Sequence, residues 1–175
     1  QAIEALSKKD LPIPLLVSKK LVLNDISRLY HSSLIANQEA QNYIKERGLS
    51  NPEIIRKYQL GYCDGNKLSS IISGSPEQKK EFFELGILND KGNECFYKCI
   101  TFPLWNSSGQ VVGLYGRSID GKRHCYSKGE RNGLFNAEAC RKLGTIILTE
   151  SIIDALSLIQ LGFMNVLPMY GVNGH

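Results

Sequence analysis

Glu150 and Asp154 stand where an apolar run, Thr145-Ile146-Ile147-Leu148, gives way to a helical pattern. Ligands of open parallel sheets sit at the carboxyl ends of the strands. The i, i+4 spacing puts both carboxylates near one face of a helix start. Two carboxylates so placed can share a hard divalent cation such as Mg²⁺. The same pair also complements the positive end of a helix dipole, and spacing alone does not choose between the two roles. A second group is basic: Arg117, Lys122, Arg123, Lys128 and Arg131, interleaved with Tyr115, His124 and Tyr126. Arginine and lysine hold phosphates, and aromatic rings stack on bases. A twisted hairpin with a basic polar face explains that pattern equally well. Gly171-Val172-Asn173-Gly174 suits either a close backbone approach to a phosphate or a plain turn. Cys95, Cys99 and the pair His124-Cys125 do not make a structural zinc pattern, because an i, i+4 pair within a strand is about 13 Å apart. These cysteines are expected to be small buried hydrophobes. Neither His31 nor His175 has neighbours that suggest a role.

The elements that must position these residues change character along the chain. Residues 1–26 read as a linker or arm, since Leu11-Pro12-Ile13-Pro14 must be extended. A helical pattern covers 27–47 and ends at Gly48. Ser50-Asn51-Pro52 opens a second helix that runs to Gly61. A short helix is expected around 67–72. Ser75-Pro76-Glu77-Gln78 opens a clear third helix as a capping box, with Phe82, Phe83 and Leu85 inward and Gly86 at its end. After Gly92 the period becomes that of strands. Residues 95–103 and 110–118 form a hairpin around Asn106-Ser107-Ser108-Gly109, and 124–127 form a third strand. A short helix at 136–142 precedes a buried strand at 145–150, a helix at 152–161 and a strand at 165–170. That last stretch is a βαβ unit with parallel strands.

The chain has 175 residues, 42% of them apolar and 22% charged, which suits a globular chain and excludes extensive disorder. No apolar run approaches the ~18 residues of a membrane span, and the first residues lack a signal-peptide pattern. Five cysteines without framework spacing imply reduced thiols and a cytoplasmic location. The net charge of +4 is unevenly spread. Residues 91–142 hold nine basic and four acidic side chains, a net of +5, whereas 143–175 hold only Glu150 and Asp154. A basic surface beside an acidic spot suits a polyanion bound next to a metal-assisted site. A two-strand parallel sheet at the end would leave open edges, so the chain is expected to be a fragment of a longer polypeptide.

Several segments, in order, resemble the catalytic core of bacterial-type DNA primases. They are Tyr43-Ile44-Lys45-Glu46-Arg47-Gly48-Leu49, Tyr58-Gln59-Leu60-Gly61-Tyr62, Thr101-Phe102-Pro103-Leu104, Gly113-Leu114-Tyr115-Gly116-Arg117, and Glu150-Ser151-Ile152-Ile153-Asp154. The last is similar to the opening of a Toprim domain. Three departures mark a divergent member, such as one from a plasmid, phage or other mobile element. Cys99 stands where the family usually has arginine, and Ser151 where it has glycine. The family's Lys-Gly-Arg-x-Leu-Tyr-Gly run is only loosely matched by Lys128-Gly129 and Leu134-Phe135-Asn136.

The resemblance implies an α+β fold. Its helical and antiparallel-hairpin amino-terminal subdomain, 27–142, would lead into a truncated Toprim-type parallel βαβ unit, 143–175. It implies an enzyme that synthesises RNA primers on single-stranded DNA during replication, with ribonucleoside triphosphates as substrates and a replicative helicase as a candidate partner. Glu150 would be catalytic, Glu150 and Asp154 would serve Mg²⁺ or Mn²⁺, and Arg117, Lys122, Arg123, Lys128 and Arg131 would hold template or nucleotide phosphates. The fragment alone would be inactive. Two other classes fit parts of the pattern: a non-catalytic nucleic-acid-binding module of a mobile element, and a Toprim nuclease or topoisomerase-like protein.

Overall fold

The structure, a computed structural model, describes residues 19–68, 76–129, 133–141 and 144–169. The arm up to residue 18, Ser75, Arg131 and the glycine-containing segment 171–174 lie outside the described residues. So does most of the expected helix at 67–72, of which Lys67 and Leu68 sit in a turn.

The expected helix at 27–47 is two helices, α1 (Lys19–Ala36) and α2 (Gln38–Glu46). The break is made by Asn37, whose extended backbone and side-chain oxygen, accepting from the Ala40 amide, form an N-cap. Asparagine inside a helical pattern competes for backbone donors in this way. The next helix, α3, is Pro52–Lys57 with Asn51 as its N-cap, and Gln59 turns the chain with a φ of 45°. The chain then enters a strand, β1 (Gly61–Cys63), where the sequence pattern had only the end of a helix at Gly61. Gly61 is needed there, because a Cβ would stand 2.5 Å from the Thr101 hydroxyl and 2.7 Å from the Tyr30 Cβ. The helix expected after Ser75 is α4 (Pro76–Glu84). It buries Phe82, but Phe83 is 39% exposed and does not face inward. Adjacent helical positions differ by about 100° in direction, so one face cannot take both.

The hairpin forms as β2 (Cys99–Trp105) and β3 (Val111–Ser118), followed by β4 (His124–Tyr126). With β1 they make one antiparallel sheet in the order β1-β2-β3-β4. Residues 95–98 are turns rather than strand, and Lys98 adopts a φ of 55°. The sheet is covered on both faces. Ile100, Phe102 and Tyr115 pack with α2, α3 and Phe135, whereas Cys99, Val111 and Leu114 pack with α1, Phe82 and Phe96. This is why the first five residues of β2 are all buried rather than alternating. On the second face, the buried Glu94 carboxylate accepts from the Tyr30 hydroxyl at 2.8 Å, the Cys63 thiol at 3.0 Å and the Leu68 amide at 3.2 Å. That set satisfies a group that would otherwise be costly to bury.

After a 3₁₀ turn at Ala137–Arg141, β5 (Ile147–Thr149), α5 (Ile152–Gln160) and β6 (Val166–Pro168) form the expected parallel unit. Ile147 pairs with Val166 and Thr149 with Pro168. The strand β5 is not buried: Leu148 is 60% exposed, because α5 covers only one side of a two-stranded sheet. The inner side of α5, with Ile152, Ala155, Leu156 and Ile159, joins the same apolar cluster as Ile100 and Phe102. Asn136 ties the unit to the sheet. Its amide nitrogen donates to the Val166 carbonyl at 2.7 Å and the Met164 carbonyl at 3.2 Å, and its oxygen accepts from the Tyr58 hydroxyl at 3.2 Å. No helix among the described residues is long and apolar enough to cross a membrane.

Candidate nucleic-acid interface

Side chains two apart on a strand share a face, so Tyr115 and Arg117 project together from β3. Their register partners on β4 are Tyr126 and His124. The Tyr115 ring stacks on Phe102 at a centroid distance of 5.7 Å and meets Tyr126 at 5.1 Å and His124 at 5.9 Å. Its hydroxyl and the His124 Nδ1 are 2.6 Å apart. Burial, reinforced by Tyr126 and opposed by Arg117, pushes the Tyr115 phenol up to about 12. It is therefore neutral near pH 7 and can donate its hydroxyl proton. The aromatic ladder thus runs from the buried core at Phe102 to the half-exposed edge at Tyr126.

Arg117 lies beside this ladder. Its Nε is buried and has no hydrogen-bond partner among the described residues, and the same is true of the Tyr43 hydroxyl. The Arg47 guanidinium sits 5.3 Å from the Tyr43 ring centroid. Arg117 and Arg47 thus give this aromatic face positive charge.

The structure does not gather all the basic residues on that face. Lys122 is exposed in the turn before β4, where its amide donates to Asp120 at 3.0 Å. The Ser118 hydroxyl, and then the Lys122 amide, hold the Asp120 carboxyl below its ordinary range. Arg123 donates to the carbonyls of Tyr97 at 2.5 Å and Cys95 at 3.4 Å. The Lys128 ammonium lies 4.4 Å from the centroid of the Phe83 ring on α4, and its amide donates to the Leu85 carbonyl. Of the four described, Arg117 alone is brought together with the tyrosines. The pairings of Arg123 and Lys128 connect sites far apart in sequence, and no local pattern announces them.

Glu150 follows the end of β5, and Ser151 is the N-cap of α5. The Ser151 hydroxyl donates to the Asp154 carboxylate at 2.7 Å and accepts from the Asp154 amide at 3.2 Å. Asp154 is therefore engaged with the cap that starts its own helix. Both carboxylates are exposed. They are hard oxygen donors of the right kind for Mg²⁺ or Mn²⁺. Among the described residues, however, no group of three or more His, Cys, Asp or Glu side chains could hold a metal ion. The donors present do not fit a complete metal site.

A four-stranded antiparallel sheet covered on both faces, joined to a parallel βαβ unit with a carboxylate at its strand end, defines the class as a mixed α+β fold. The match to one family is specific: residues 29–139 fit the DNA primase catalytic core, N-terminal domain. The chain belongs to that family. It is 32% identical to the DNA primase of Helicobacter pylori J99, over 86% of this chain and 29% of that protein. Against the DNA primase of Haemophilus influenzae the identity is 30%, over 81% of this chain and 26% of that one. The chain thus spans under a third of these curated relatives. The crystal structure of the Aquifex aeolicus primase, with its zinc-binding and RNA polymerase domains, superimposes with a TM-score of 0.73 at 26% identity, over 87% of this chain and 42% of that one. A DnaG primase catalytic domain bound to single-stranded DNA shares the fold, with a TM-score of 0.73 at 22% identity, over 87% of this chain and 55% of that one.

Proposed function

We propose that this chain is the template-handling part of a DNA primase that makes RNA primers on single-stranded DNA. The observation that carries the reading is the strip Tyr115–Arg117–His124–Tyr126, in which a buried arginine nitrogen lacks an acceptor. A nucleic-acid phosphate can meet the solvent-facing part of the half-buried Arg117, and the tyrosine edge supplies a stacking surface for a base. The relatives' name and the single-stranded DNA bound by one structural neighbour support the same ligand. Lys122, Arg123, Lys128 and Arg131 would supply further phosphate contacts away from the strip. Ribonucleoside triphosphates are the substrates in this reading, a replicative helicase is the candidate partner and the setting is the cytoplasm. The divalent cation, Mg²⁺ or Mn²⁺, would draw on Glu150, with further ligands from outside the described residues.

The test is a fluorescence-anisotropy titration of a labelled single-stranded oligonucleotide at several salt concentrations. With about three to five phosphates contacted, the log–log salt slope is expected to be roughly −2 to −3.5. Arg117→Ala should flatten it by about 0.7, the value of one phosphate on a single strand, and Lys128→Ala should flatten it too. Binding that ignores salt, or that Arg117→Ala leaves unchanged, overturns the assignment of this face.

A further inference from the structure

Cys99, Cys125 and the backbone of Cys95 meet on the sheet face opposite Tyr115 and Arg117. Cys99 is on β2 and Cys125 on β4, with all of β3 between them, yet their sulfurs are 3.9 Å apart. Gly116 on β3 makes this meeting possible. It is the register partner of Cys125, and a Cβ there would stand 2.5 Å from the Phe96 ring and 3.2 Å from the Cys99 Cβ.

The two thiols are not equivalent. Cys99 is fully buried, whereas Cys125 is half-buried on the edge strand. Arg123 reaches over the pair, with one guanidinium nitrogen 3.9 Å from the Cys99 sulfur and both terminal nitrogens on the carbonyls of residues 95 and 97. The Cys125 sulfur also faces the Cys95 carbonyl at 3.4 Å, a contact that favours its thiol form. The Cys95 thiol interacts with Cys125 as well, and Lys128 and Asp90 act on Cys95. Either sulfur can donate in the Cys99–Cys125 contact, and with Cys125 as the thiolate it is Cys99 that donates its S–H. The hydrogen bond and burial push the Cys99 thiol up. That hydrogen bond, opposed by burial and aided by Arg123, holds the Cys125 thiol down at about 7.

We propose that Cys125 is a thiol-modification site whose thiolate, held by the Cys99 thiol with the Arg123 guanidinium on that same thiol, reacts with small-molecule disulfides. The thiolate attacks one sulfur of the disulfide and its S–S bond breaks. A mixed disulfide forms on Cys125, and the other half leaves as a thiolate that takes a proton from water. Cys99 does not complete an internal disulfide. Neighbouring strands are about 4.8 Å apart, so strands flanking a third are about 9.6 Å apart, whereas a disulfide needs Cα atoms within about 4.4–6.8 Å. The adduct therefore persists until an external thiol removes it.

The test treats the full chain with oxidised glutathione across a pH series, and reads each cysteine by peptide mass spectrometry with circular dichroism as the folding control. The expected result is a glutathione adduct on Cys125, with a rate midpoint near pH 7 and no Cys99–Cys125 disulfide. In Cys99→Ala the midpoint should rise, and the rate at pH 7 should fall about threefold, since lost thiolate is partly offset by greater nucleophilicity. Cys99→Ser, which keeps a donor, should stay close to the unaltered chain. If Cys99→Ala does not fold, Arg123→Gln carries the same comparison, with a midpoint again moved up. No adduct on Cys125 in the folded chain, an internal disulfide, or a pH profile that neither substitution moves would overturn the proposal.

Discussion

Glu150→Gln is expected to abolish primer synthesis, by at least about a hundredfold, in a primase polypeptide that carries these residues together with the remaining length of its relatives. Losing a positioned carboxylate from a phosphoryl-transfer site costs on this order. Two features make the substitution informative. Glu150 is exposed and follows the end of β5, so a residue of equal size fits there without disturbing the core. The capping interaction that starts α5 belongs to Ser151 and Asp154, so losing the Glu150 charge leaves the helix start intact. DNA affinity should stay within about twofold, because the basic strip lies on β3 and β4 while Glu150 follows β5. Primer assays on parent and variant, with DNA affinity and circular dichroism as controls, check this. Full synthesis by the variant rejects the catalytic role, and loss of folding assigns Glu150 a structural one. The 175 residues alone are expected to bind Mg²⁺ weakly and to make no primer, since two carboxylates, one engaged in a cap, are too few for an ion that sheds water reluctantly. Isothermal titration with Mg²⁺ checks that.

Asn136→Leu is expected to destabilise the chain by about 3–6 kcal/mol, from two buried groups and one half-buried group left without partners at ~1–2 kcal/mol each. Those groups are the carbonyls of Met164 and Val166 and the hydroxyl of Tyr58. Asn136 also has a φ of 56°, a conformation that asparagine tolerates and leucine does not. The loss is local at first, because Asn136 holds β6 against the sheet while β2 and β3 keep their own ladder. Urea denaturation should show a lower midpoint, and hydrogen exchange should show the β5–β6 pair opening before the four-stranded sheet. A stability change under about 1 kcal/mol would show that the apolar packing of α5, not this side chain, holds the unit in place. Asn136→Gly, which accepts the positive φ but lacks the amide, should separate the two contributions.

Periodicity made much of this architecture legible. The parallel βαβ unit around Glu150, the hairpin closed by Asn106 to Gly109 and the helices starting at Pro52 and Pro76 all follow from patterns only a few residues long. The ordered segments from Tyr43 to Asp154 pointed to the primase core, and the match over residues 29–139 is to that family. Helical periodicity misled at two places, one through a local cap and one through a tertiary contact. Asn37 looked like one polar residue in a long helix but caps a new one, and Gly61 looked like a helix end but begins a strand packed against Tyr30.

What only the tertiary structure decided is which side chains meet. Sequence placed Arg117, Arg123 and Lys128 in one basic group, and strand alternation with long-range partners sends them apart: Arg117 to the tyrosines, Arg123 to the carbonyls of residues 95 and 97, Lys128 to Phe83. Cys99 and Cys125 are 26 residues apart in the chain, and their contact depends on the missing side chain of Gly116 between them. Residue type and spacing determine which elements form, because those choices rest on local backbone geometry. Which charges and thiols share a face depends on the register of three strands and on what covers them, and that is fixed only when the whole core packs.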